Sequence, residues 1–84
     1  MWNVIAGKPV RRKLDKIPNP EKERSYKVLK KLENGPENVD IRPMVGRSDY
    51  RLRVGKWRML LEIHADENFI FIRSLDSRGQ AYKD

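Results

Sequence analysis

Residues 50–63, YRLRVGKWRMLLEI, predict two β-strands joined by a tight turn. A glycine at the first central position of a two-residue hairpin is typical of a type II′ turn, so Gly55 and Lys56 are expected to connect Val54 to Trp57. Side chains alternate between the two faces of a sheet, so this turn also fixes how the strands pair. The stretch therefore predicts a hairpin together with the residues that share each of its faces.

The two faces of this hairpin differ in chemistry. The apolar face, which is expected to pack on a core, is formed by the pairs Val54–Trp57, Leu52–Met59 and Tyr50–Leu61. On the other face, Arg53 lies opposite Arg58, and Arg51 lies opposite Leu60. Like charges directly opposite one another destabilise a sheet, so the arginine pair favours an anionic partner. The alternative is a sheet face that is merely solvated.

The chain has 84 residues, no cysteine and one histidine. This length predicts a single domain over residues 1–84. Without cysteine there is no disulfide framework and no thiolate site, so we expect neither a metal nor a small-molecule cofactor. No apolar run approaches the length of a membrane span, and the N-terminal basic residues follow the apolar run, opposite to a secretory signal. We therefore expect a cytoplasmic protein that does not bind membranes.

The formal net charge of +7 favours an anionic partner. Residues 1–36 hold ten Lys or Arg against four Asp or Glu, and seven of the ten are lysines. Residues 37–84 hold nine against eight, and seven of those nine are arginines. Arginine is the side chain suited to bidentate phosphate contact and to stacking on bases. The charge is concentrated in the first half, whereas the candidate recognition chemistry is in the second.

The N-terminal part predicts a strand and a short helix. Residues 2–6, WNVIA, are rich in β-formers and are followed by a glycine. Residues 8–18, KPVRRKLDKIP, place Val10, Leu14 and Ile17 at helical spacing. The proline near the start suits the first turn of a helix, and the one at the end stops it.

A second helix is predicted between Asn19, which can cap it, and residues 34–36, NGP, which end it. Pro20 fits its first turn. Its inward stripe is expected to consist of Ser25, Val28, Leu29 and Leu32. Such a stripe is more typical of a core than of a cofactor site.

Two further strands complete the predicted sheet. Residues 39–43, VDIRP, predict an edge strand, because Pro43 cannot donate to a ladder. Residues 69–75, FIFIRSL, predict a strand that returns after a polar turn. The element order predicts an α+β domain, in which two helices cover one face of a mostly antiparallel sheet of about four to five strands. The other face is left partly open.

The register of the last hairpin decides where Arg73 lies. If Ala65 faces Asn68, the pairs that follow are Ile63–Ile70, Leu61–Ile72 and Leu60–Arg73. Arg73 then joins the arginine face. Asp49 and Glu62 form a candidate carboxylate pair on this side, and we interpret them as salt-bridge partners of the arginines.

The chemistry available on the open face is that of clustered guanidinium groups. Arg51, Arg53 and Arg58 share this surface, and Arg78 and Tyr82 follow near the C terminus. Several fixed guanidiniums can bind a phosphate and stabilise developing charge without a metal. RNA supplies its own nucleophile, since a 2′-hydroxyl can attack the adjacent phosphate.

The runs IRPMVG at 41–46, GRSDYRLRVGKWRMLLEI at 46–63 and SRGQAY at 77–82 resemble the RelE/ParE family of toxins from bacterial type II toxin–antitoxin systems. The resemblance covers nearly the whole chain, and it implies the same strand, two helices and antiparallel sheet. For RelE-like members it implies ribosome-dependent cleavage of mRNA by metal-free attack of the 2′-hydroxyl, and neutralisation by a cognate antitoxin protein.

The resemblance also implies site residues. The catalytic residues are predicted to be Arg53, Arg58, Arg78 and Tyr82, and the RNA-binding and phosphate-binding residues Arg51 and Arg53. Arg73 is added to the phosphate-binding residues because of its register on the arginine face, not because of the resemblance. The chain departs from the family where Ser77 replaces a frequent histidine, and where arginines replace two lysines of the archetypal RelE. These departures leave the general base open. His64 is the candidate proton carrier, and its alternative interpretation is a solvated histidine at a turn.

The sequence is also compatible with two other functions. A ParE-like inhibitor of DNA gyrase has the same fold without nuclease activity, and a non-catalytic basic RNA-binding module would also fit the charge. The presence of Arg58, Arg78 and Tyr82 together favours the nuclease, because a gyrase inhibitor has no evident need for a phosphate-cleaving set.

Overall fold

The computed structural model describes residues 1–44 and 49–77. Its strands are β1 (Asn3–Ala6), β2 (Ile41–Pro43), β3 (Tyr50–Val54), β4 (Trp57–His64) and β5 (Phe69–Ser77), and its helices are α1 (Lys8–Lys16) and α2 (Glu21–Leu32). Single 3₁₀ turns lie at Pro36–Asn38 and Ala65–Glu67. None of the helices in these residues is long and apolar enough to cross a membrane.

The five strands form one mixed sheet in the order β1-β5-β4-β3-β2. β1 pairs parallel to β5, and the other neighbours pair antiparallel. Both helices pack on one face, where the buried core comprises Val10, Leu14, Ile17, Leu32, Leu52, Val54, Met59, Leu61, Ile70, Ile72 and Leu75. The predicted α+β fold, the inward stripe of α1 and the edge position of β2 are confirmed.

The hairpin of residues 50–63 has the predicted register. Val54 pairs with Trp57, and Arg53 pairs with Arg58. Gly55 has a φ of 59°, which is the left-handed conformation that the turn requires and that glycine adopts most readily. The indole nitrogen of Trp57 donates to a carboxylate oxygen of Glu21 at 3.3 Å, which ties the hairpin to the first turn of α2.

The register of β4 and β5 was predicted correctly only up to Leu61, which pairs with Ile72. A β-bulge follows, so Leu60 faces Ser74 and the predicted Leu60–Arg73 pair is wrong. Without the bulge, Leu75 would lie opposite Arg58 on the open face. With it, Leu75 is fully buried. Burial of a leucine side chain contributes roughly 2 kcal/mol, which favours the shifted register.

The start of α2 also differs from the prediction. The helix begins at Glu21 and its N-cap is Pro20, with no capping hydrogen bond from a side chain, so the predicted Asn19 cap is wrong. The first turn instead carries Glu21 and Glu23, whose negative charge suits the positive end of the helix. One turn further on, the buried Ser25 donates its hydroxyl to the Glu21 carbonyl at 2.9 Å.

Candidate nucleic-acid interface

The open face of the sheet, opposite the helices, carries arginines on three neighbouring strands. Strand pairing places Arg42 of β2 beside Arg51 of β3, and Arg53 of β3 beside Arg58 of β4. Arg42 and Arg53 are exposed and Arg51 is half-buried. The structure therefore brings together Arg51, Arg53 and Arg58 as predicted, and adds Arg42 to them.

A cavity of about 180 Å³ lies at this end of the open face and is lined by Asp40, Arg42, Arg51 and Arg53. We call it the arginine pocket. Three guanidiniums and one carboxylate give it a formal charge of +2. The Asp40 carboxylate lies 3.7 Å from Nε of Arg42 in an exposed ion pair, which is a weak interaction. Among the residues that line the pocket, guanidiniums outnumber carboxylates three to one.

Arg42 was missed by the sequence analysis. Its position depends on the pairing of β2 with β3, and the segment between these strands has no turn signature that would fix the register. The one available signal was alternation along residues 39–43, which places Arg42 on the opposite face from Ile41.

Arg58 lies beneath the surface, with 5% of its area exposed. Its strand neighbours are Arg53 on one side and Asp76 on the other. Asp76 also forms an ion pair with Lys13 of α1, whose Nζ lies 2.6 Å from Oδ1 of Asp76. Arg58 therefore lies between a like charge on β3 and an opposite charge on β5.

The other end of the open face holds a compact charge network that we call the Arg73 cluster, made of Asp49, Glu62, His64 and Arg73. Arg73 donates Nη1 to Asp49 at 2.8 Å, and its Nε lies 3.3 Å from Glu62. The second oxygen of Glu62 lies 2.9 Å from Nε2 of His64. Asp49 is buried. The interpretation of Asp49 and Glu62 as salt-bridge partners is confirmed.

His64 lies far from the arginine pair. It stacks on Phe69 with ring centroids 4.3 Å apart and nearly parallel planes. It is six residues from Arg58 along β4, and a rise of about 3.3 Å per residue separates their Cα atoms by about 20 Å. One phosphate group cannot contact both residues. The structure therefore does not bring the candidate proton carrier to the predicted catalytic arginines.

Arg78 and Tyr82, both predicted as catalytic, lie outside the described residues. Within residues 1–44 and 49–77, no group of three or more His, Cys, Asp or Glu side chains is placed to hold a metal ion.

The known proteins to which this chain is similar include several RelE proteins. RelE1 of Methanocaldococcus jannaschii, a protein assigned as a toxin, is 30% identical over 86 residues that cover 98% of this chain and 96% of that protein. The RelE–RelB complex of Pyrococcus horikoshii has 26% identity and a TM-score of 0.81, with 94% of this chain and 97% of that one covered. The isolated E. coli RelE toxin shares the fold at 15% identity and a TM-score of 0.71, covering 93% and 85%. No family model matches the chain.

Proposed function

Because this chain belongs to the RelE family of toxins, we propose that it inhibits translation by cutting mRNA at the ribosome. The observation that carries the proposal is the arginine pocket, where three guanidiniums on two strands face one cavity. Guanidinium groups bind phosphate oxygens bidentately and remain protonated throughout the neutral range. The pocket therefore offers a fixed positive site for one backbone phosphate.

The reaction that this site would support is an intramolecular transesterification of the RNA, in which the phosphoryl group moves from a 5′-oxygen to the adjacent 2′-oxygen. The 2′-oxygen attacks the adjacent phosphorus as its proton leaves, the bond to the 5′-oxygen breaks, and that oxygen takes up a proton. The products are a 2′,3′-cyclic phosphate and a 5′-hydroxyl. Arg51 and Arg53 would orient the phosphate and stabilise the charge that grows on its oxygens, and Arg58 would add to this from its place beside Arg53 on β4.

The proton acceptor is not assigned to His64 in this proposal, since about 20 Å of β4 separates it from Arg58. Arg73 is likewise assigned to its two carboxylates rather than to phosphate. Arg78 and Tyr82 keep their predicted roles in cleavage.

The antitoxin partner is proposed on the same basis. The structural neighbours from P. horikoshii and E. coli include complexes of RelE with RelB. We propose that a cognate antitoxin likewise binds and neutralises this chain. Co-expression should then relieve growth arrest, and growth unaffected by the chain alone would contradict a toxin.

Cleavage on programmed ribosomes tests the proposed activity. The wild-type chain should give products ending in a 2′,3′-cyclic phosphate, and the double variant Arg51→Ala/Arg53→Ala should give none within the same time. Lys56→Ala is the matched control, because Lys56 is exposed on the same hairpin but does not line the pocket. Intact mRNA together with loss of DNA supercoiling by gyrase would replace this proposal with gyrase inhibition.

A further inference from the structure

The net charge of this chain is carried by its helix layer, on the opposite side of the sheet from the arginine pocket. α1 and α2 together hold ten Lys or Arg and three Asp or Glu, a balance of +7. The rest of the chain holds nine of each, a balance of zero. The open face is therefore locally basic within a neutral background, whereas the helix layer is basic throughout.

The helix cations are arranged in rows. Lys8, Arg12 and Lys16 follow one another four residues apart on α1, and Arg24, Lys27 and Lys31 follow at intervals of three and four on α2. Positions three or four apart share one side of a helix. All six side chains are exposed. We call these rows the cationic stripes, and each extends over roughly 10–12 Å at 1.5 Å per residue.

Few of these charges are neutralised by the protein. Among the described residues, Lys13 is the one helix cation in an ion pair with a carboxylate, and it belongs to neither stripe. Asp15, the single acidic residue of α1, accepts a hydrogen bond from the Tyr26 hydroxyl at 3.1 Å. Six like charges on one side of a small protein destabilise it unless an anion covers them.

The chemistry of the stripes fits a nucleic-acid backbone better than a protein segment. A protein that folds onto its partner buries apolar anchor residues. The stripes contain none, and the apolar groove of the helix side lies elsewhere, beside β1, where Val4, Ala6 and Leu29 line it. Four of the six stripe residues are lysines, which act as mobile point charges rather than as rigid bidentate forks. Such residues suit contact with phosphates without reading sequence.

We propose that the cationic stripes form a second RNA-binding surface, which takes the phosphate backbone of an RNA duplex independently of its sequence. The arginine pocket would hold one strand on one side of the sheet while the stripes contact duplex RNA on the other. The second surface does not require the proposed cleavage, so either can fail without the other.

The salt dependence of duplex binding tests this surface. The purified full chain is titrated against blunt-ended RNA duplexes of two unrelated sequences by fluorescence anisotropy at several salt concentrations. Each phosphate contact with B-form DNA contributes about 0.9 to the magnitude of the slope of log affinity against log salt, and we expect a similar value for an RNA duplex. Lys27→Gln/Lys31→Gln should therefore reduce the magnitude of this slope by about two, and Lys8→Gln/Lys16→Gln should do the same. Both duplexes should bind equally well.

Two controls separate local contact from overall charge. Lys56→Glu removes the same two units of charge from an exposed position outside the helices and should leave the slope unchanged. Lys27→Arg/Lys31→Arg keeps the charge and should bind as the wild type does. Glutamine and arginine both favour helices, so α2 should remain folded, which circular dichroism melts would verify.

Three results would overturn the proposal. An equal fall in slope for the Lys56→Glu control would reduce the effect to net charge. An unchanged slope in both stripe variants would show that the duplex binds elsewhere. If the stripe variants bind the duplex as the wild type does but bind the cognate antitoxin more weakly, the stripes are a protein interface instead.

Discussion

The two ends of the open face contain the same kinds of side chain in different proportions. The arginine pocket combines three guanidiniums with one exposed carboxylate. The Arg73 cluster combines one guanidinium and one imidazole with two carboxylates, one of them buried. Guanidiniums outnumber carboxylates in the first region, whereas the arginine in the second binds two carboxylates within the fold. Whether an arginine on a sheet face is a candidate ligand-binding group therefore depends on its acidic neighbours.

The largest expected effect is on cleavage at the pocket. Arg53→Ala should lower the single-turnover rate on programmed ribosomes by on the order of a hundredfold, since it removes one preorganised charge from the transition state. Its side chain is exposed, so the melting temperature should hardly change. Arg73→Ala is the matched comparison and should affect stability more than rate. A wild-type rate for Arg53→Ala would end the distinction between the two regions.

The pocket was only partly predictable from the sequence. Gly55 fixes the β3–β4 turn, so alternation alone placed Arg51, Arg53 and Arg58 on one face. Arg42 was not predictable, because its register passes through a connection without a turn signature. The burial of Arg58 also could not be read from alternation, which gives the face of a residue but not what covers it.

The Arg73 cluster was less predictable for a different reason. The bulge beside Leu60 depends on whether Leu75 reaches the core, which is a property of the packed sheet and not of the local pattern. Arg73 stayed on the open side, yet its carboxylate partners come from β4 and from the residue before β3. Sequence alternation identified Asp49 and Glu62 as salt-bridge partners without showing that both bind the same arginine.

A smaller effect is expected at Arg42, and its size shows how far the functional part of the pocket extends toward β2. Arg42→Ala should reduce cleavage roughly tenfold, because Arg42 lines the cavity at its outer edge and already has an acidic neighbour, Asp40. Asp40→Asn, which removes that neighbour's charge, should leave the rate unchanged or raise it. Loss of activity in Asp40→Asn would instead assign the carboxylate a part in proton transfer.

The Arg73 cluster should respond in stability. Asp49→Ala removes a buried carboxylate that binds Arg73 at 2.8 Å, and should lower the free energy of unfolding by about 1–2 kcal/mol. The partly exposed guanidinium limits the loss, because water can solvate it when its partner is gone. For a domain of this size each kcal/mol corresponds to about 4–8 °C in Tm. Asp40→Ala is the control. An equal decrease in Tm for that variant would show that the Arg73 cluster stabilises the fold no more than an exposed ion pair does.

The smallest effect is expected at His64, whose two interpretations, a proton carrier and a histidine without a part in cleavage, predict different rates. Glutamine can keep a hydrogen bond to Glu62 but cannot carry a proton between pH values of about 5 and 8. If the arginine pocket is the site of cleavage, His64→Gln should cleave within about twofold of the wild type, with the same pH profile, since the histidine lies about 20 Å along β4 from Arg58. A general acid or base contributes about a hundredfold to ten-thousandfold, so its loss could not be mistaken for this result. Single-turnover rates across that pH range would decide the matter. A large drop with a changed profile would move the chemistry to the Arg73 cluster and leave the arginine pocket as a binding site only.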